Sequence, residues 1–114
     1  MRRVPLKVVE IVDAVGRETK MPYIDIFEQL AKTSERGLTG AEMDTPLAIS
    51  SSLATARRTQ ARSVMLEEPE WAYLAERAKS NRWPFASPVF QELIYDVDNA
   101  EKIDPNAASI AAAE

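Results

Sequence analysis

The sequence predicts a mostly α-helical single domain of about five short helices, with one minor β pairing between residues near 4–9 and 63–66. Three observations lead there. Apolar side chains recur at helical spacing in several segments. Proline follows a polar residue at Thr45–Pro46, Glu68–Pro69 and Ser87–Pro88, an order that starts helices because the first helical N–H groups have no intrahelical acceptor. The chain has 114 residues, enough for one modest core.

Val8, Ile11, Val12 and Val15 stand at i, i+3, i+4 and i+7, so residues 5–15 read as a helix opened by Pro5 and closed by Gly16. The β-branching of these side chains pulls toward a strand, and a strand over residues 4–9 is the rival. Residues 22–36 carry Tyr23, Ile26, Phe27 and Leu30 at helical spacing, with Pro22 at the first position and Arg36 and Gly37 at the end. Residues 37–44 hold two glycines and read as a loop or one short turn. Thr45 and Pro46 then open a third helix with a thin stripe of Ile49, Leu53 and Ala56, ending basic at Arg57, Arg58 and Arg62.

Ser63–Leu66 is too short for a helix and reads as extended, pairing near the N-terminus. Glu68 and Pro69 start the fourth helix, with Trp71, Leu74, Ala75 and Ala78 inward. Arg82, Trp83, Pro84, Phe85 and Ala86 form an aromatic corner, where Trp83 is biased to extended backbone by the following proline. Ser87 and Pro88 start the fifth helix, striped by Phe90, Leu93, Ile94 and Val97 and ending near Asn99 or Ala100. Residues 1–100 form the helical domain on this reading. Residues 101–114 are rich in alanine, offer only Ile103 and Ile110 as large apolar groups, and read as a flexible C-terminal tail.

Composition bounds the function. The formal charge is −4, with 46% hydrophobic and 28% charged residues, the balance of a globular protein without the basic excess of a nucleic-acid binder. Cysteine and histidine are both absent. Thiolate chemistry, disulfides, imidazole bases and the usual zinc ligands go with them. No segment is apolar enough for a membrane span, and Lys7, Glu10 and Asp13 break the only apolar run that resembles a signal sequence. A cytoplasmic protein that is not an enzyme, without metal or cofactor, is expected.

Three clusters remain. Glu67, Glu68 and Glu70 read as acids gathered at a helix start by its dipole rather than as a catalytic pair or a hard-metal site. Asp96, Asp98 and Glu101 resemble part of a calcium loop but lack its glycine. Arg57, Arg58 and Arg62 make the one basic patch. Arg82, Trp83 and Phe85 make a second candidate contact, since tryptophan and arginine dominate interface energetics. The patch Arg57, Arg58, Arg62 and the acids Glu67, Glu68, Glu70 suit a head-to-tail contact between copies of the chain, so the expected partner is protein, self or other, and homo-oligomers are expected. A DNA-binding regulator that aims Ser51, Ser52 or Gln60 at base edges is the alternative, and an acidic inhibitor of a host protein a third.

The segments V-M-L-E-E-P-E-W-A-Y-L, N-R-W-P-F and F-Q-E-L-I-Y-D-V-D-N-A, spanning 64–74, 81–85 and 90–100, resemble a diffuse group of small acidic proteins of unknown function from tailed bacteriophages. The resemblance covers the second half, and the first half only in outline. It implies an accessory or virion-assembly protein that acts by protein contact, and it assigns no catalytic residue.

Overall fold

Residues 2–22 build three strands, not a helix. In the computed structural model, which describes residues 1–33, 37–83 and 85–103, the elements run β1 Arg2–Pro5, β2 Val8–Val12, β3 Glu18–Pro22, α1 Tyr23–Lys32, α2 Asp44–Thr59, β4 Ser63–Leu66, α3 Glu68–Ser80, α4 Pro88–Asp98 and β5 Glu101–Lys102, with a 3₁₀ turn at Ala41–Met43 before α2. The fold is therefore α+β: four α-helices and two antiparallel sheets among the described residues, not a mostly α domain with one minor pairing.

The helical spacing of Val8, Ile11, Val12 and Val15 misleads because three of the four are not core residues. Val8, Val12 and Val15 are 65%, 52% and 72% exposed, and only Ile11 is buried. Alternation decides instead: Val9 and Ile11 face the body, Val8, Glu10 and Val12 face away. β2 pairs with β3 from Val8↔Pro22 to Val12↔Glu18. The turn between them is shaped by Asp13, whose Oδ1 accepts the N–H groups of Val15 and Arg17, both at 2.9 Å, and by Gly16 at φ 87°.

The second sheet has the order β4-β1-β5, all antiparallel, so the N-terminal strand is central. Ser63–Leu66 does pair at the N-terminus, but with residues 2–5 rather than 4–9, in the register Arg2↔Leu66 to Pro5↔Ser63. β5 reaches only Arg3, so the missing N–H of Pro5 costs the ladder nothing. Lys102 and Glu101, placed by sequence in the tail, are thus sheet residues, and the Ile103 N–H bonds the Met1 carbonyl at 2.8 Å; residues 104–114 of the expected tail lie outside the described residues.

The helices follow their caps. Ser87 Oγ accepts the Val89 N–H at 3.2 Å with Pro88 at the first turn, as the sequence indicates. α3 is opened by a reciprocal box in which Glu67 is the N-cap and the Glu70 side chain accepts the Glu67 N–H at 3.2 Å. α1 stops at Lys32, not at 36, because the Thr33 backbone is extended and Arg77 and Tyr73 of α3 bond its last carbonyls, Arg77 Nε to Leu30 at 3.2 Å and Tyr73 to Ala31 at 3.4 Å. α2 starts at Asp44 straight from the 3₁₀ turn, so Thr45 is not its cap, and Pro46 lies buried within the first turn. Thr39 and Glu42 bond reciprocally ahead of it.

Val4, Tyr23, Phe27, Ile49, Leu53, Leu66, Leu74, Leu93 and Val97 form the core between the helices and the three-stranded sheet. Trp71 is only half-buried, against the expectation of a core side chain. α2 ends at Gln60, the one non-glycine residue with positive φ among the described residues (φ 53°), with the Ala61 N–H bonded to the Ala56 carbonyl at 2.9 Å. A left-handed non-glycine residue costs about 1–2 kcal/mol, partly offset in glycine by unfolded-state entropy. Gln60→Gly is expected to stabilise the domain by up to about 1 kcal/mol, read as a higher urea midpoint at unchanged slope.

Candidate functional site

The six charged residues singled out by sequence do not converge. Arg57 bonds two carboxylates of α1, Asp25 at 2.8 Å and Glu28 at 3.1 Å, and the hydrogen bond to Asp25 holds its pKa above the ordinary guanidinium value. Arg58 donates to Thr55 of its own helix at 3.3 Å. Arg62 is exposed in the turn before β4. Glu67 and Glu70 are spent on the α3 capping box. Glu68 takes Arg2 Nε at 3.1 Å and the chain N-terminus at 3.6 Å. The separation of basic and acidic clusters along the sequence is thus resolved mostly inside the chain. Asp98 pairs with Lys79 at 2.6 Å and Glu101 with Arg3 at 3.2 Å, and among the described residues no three acidic side chains group as a metal site would require.

Arg82, Trp83 and Phe85 do come together, and with residues that sequence did not connect to them. The Trp83 ring stacks on Phe90 with centroids 4.5 Å apart and planes at 24°, and Phe85 tilts against the same ring at 5.2 Å. This aromatic wall faces the hairpin and α1 across a groove of about 420 Å³. Ile11, Thr19 and Met21 of the hairpin form the opposite wall, Ile26 and Leu30 of α1 line it as well, and Lys20, Gln29 and Arg82 supply polar groups. The Trp83 indole N–H is buried and finds no acceptor among the described residues. The available signal for the missing wall was the pair of short alternations Val9/Ile11 and Thr19/Met21 around a turn that holds Asp13 and Gly16.

A separate polar cluster anchors the root of the hairpin. The Tyr23 hydroxyl donates to Asp96 Oδ2 at 3.1 Å, and Lys7 Nζ reaches the same oxygen at 2.9 Å and Glu92 at 3.4 Å. Burial, reinforced by the Asp96 bond, pushes the Tyr23 phenol well above its usual value near 10. The Asp96 hydrogen bond likewise raises Lys7 above 10.5. No family model, curated protein or solved structure matches the chain.

Both raised groups stabilise the fold in their protonated forms. That contribution is complete below the unfolded pKa values near 10 and is lost as pH climbs toward the folded ones. The urea midpoint is expected to be flat from pH 7 to 9 and to fall above pH about 10. Tyr23→Phe, which has no phenol to ionise, is expected to show a shallower alkaline fall than the parent.

Proposed function

We propose that this protein is a non-enzymatic protein-binding module that takes an apolar segment of a partner protein into the groove between the hairpin, α1 and the aromatic corner. The observation behind this is the aromatic wall of Trp83, Phe85 and Phe90, which lines the groove opposite the apolar hairpin side chains Ile11 and Met21. Aromatic side chains with an arginine at the rim have the make-up of interface hot spots. A groove of about 420 Å³ suits a few side chains rather than a broad domain face.

The resemblance to small acidic phage proteins fits an accessory or assembly role of this kind, in the host cytoplasm or the virion. Nucleic acid fits less well, since Arg57 is already engaged by two carboxylates. Among the described residues, no helix is long and apolar enough to cross a membrane.

Peptides selected from a displayed random library against the folded protein test the proposal, with affinity read by fluorescence anisotropy. Aromatic or aliphatic sequences binding in the micromolar range are expected. Ile26→Glu, which puts charge in the groove, is expected to weaken them at least about tenfold. Trp83→Phe keeps an aromatic side chain but loses the larger indole surface, and is expected to weaken them less. Peptides that bind both variants as tightly as the parent would place the contact elsewhere.

A further inference from the structure

A second surface, separate from the groove, has a matching projection and recess side by side. Tyr95 on α4 is 66% exposed. Glu92 and Asp98 lie one helical turn to either side of it, on its face of the helix. Beside it, where the root of the hairpin meets the end of α2, lies a recess of about 320 Å³. Its lining includes Leu6, Val8, Pro22 and Ile24 together with Lys7, Gln60 and the exposed Arg57 and Arg62. Arg62 also borders the hollow that contains Tyr95, so it forms the ridge between projection and recess.

We propose that this face is where two copies of the chain associate about a two-fold axis passing near Arg62, each Tyr95 entering the recess of the other. Two features point to a second copy. The projection is an aromatic ring flanked by carboxylates and the recess combines apolar side chains with exposed guanidinium groups, so the chain carries both complementary halves. Because the halves adjoin, one two-fold rotation satisfies both at once, as a closed isologous contact requires. Arg62, which makes no ion pair among the described residues, would add a contact to Glu92 or Asp98 of the second copy, exposed carboxylates that within the chain meet Lys7 and Lys79. Val12 lies on the same outward hairpin face as Val8 and is 52% exposed. Glu10 and its cross-strand neighbour Lys20 stand between the two valines, so Val12 adds a second apolar contact point beyond the recess.

The contact is distinct from a head-to-tail arrangement of the α2 end against the α3 start. It also stands whether or not the groove at Trp83 binds a partner.

Sedimentation velocity over a concentration series is the test. The parent is expected to dimerise in the micromolar range and to stop at two copies. Tyr95→Glu and Val8→Glu, both at exposed positions, are each expected to raise the dissociation constant at least about tenfold with an unchanged far-ultraviolet spectrum. An equimolar mixture of the two variants is expected to associate more than either alone, since it restores one projection and one intact recess. Ile26→Glu, in the groove, is expected to leave the dimer unchanged. A monomer at every concentration, growth beyond two copies, or a dimer indifferent to Tyr95→Glu and Val8→Glu would each overturn the proposal.

Discussion

β1 sits in the middle of the three-stranded sheet, and Arg2 within it ties this strand to the start of α3 and to the residue that follows α4. Its Nε bonds Glu68 at the start of α3 at 3.1 Å, its Nη1 bonds the Ala100 carbonyl after α4 at 3.1 Å, and its guanidinium lies 4.1 Å above the Trp71 ring. Trp71 in turn donates its N–H to the Val97 carbonyl at 2.8 Å. One arginine thereby joins a strand, a helix N-terminus and a helix C-terminus. Cation–π contact and charge-assisted bonds are individually worth on the order of 0.5–3 kcal/mol. Their shared consequence is geometric: the angle between α3 and α4 is set around β1, and so is the position of the corner that joins them.

The hairpin depends on that frame. A two-stranded sheet is marginal alone, and this one is held at its root. The Tyr23 N–H bonds the Lys7 carbonyl at 2.8 Å, and Lys7 and Tyr23 meet at Asp96 on α4. One hairpin face then lies opposite the aromatic corner, and the other stands over the end of α2. Two recesses with apolar and charged linings are made by this one element, from its two sides.

The charge pattern shows why sequence clusters are poor guides to surfaces. Glu67, Glu68 and Glu70 look like a patch when read in a line. In the folded chain two of them close a capping box and the third receives Arg2 from a strand 66 positions away. Arg57 is likewise met by α1. Arg62 escapes because it lies in a turn, beyond the reach of those acids. The aromatic corner was legible as a cluster of Arg82, Trp83 and Phe85, but its stacking on Phe90 and its place as a groove wall were not.

The sequence by itself determined what local chemistry can dictate. Ser87–Pro88 and Glu67–Pro69 start α4 and α3 through bonds within a few residues, and the stripes Tyr23/Phe27/Leu30, Ile49/Leu53 and Leu93/Val97 identify core faces by period alone. The lack of imidazole and thiol was likewise visible without a fold. Only the tertiary structure decided the state of residues 2–22 and the far face of the groove. Strand pairing is non-local: β1 needs partners at Leu66 and Lys102 before its extended backbone is satisfied, whereas a helix satisfies its own. A valine spacing compatible with either form therefore resolves only when those distant partners arrive, and the same event determines which charges remain for other molecules.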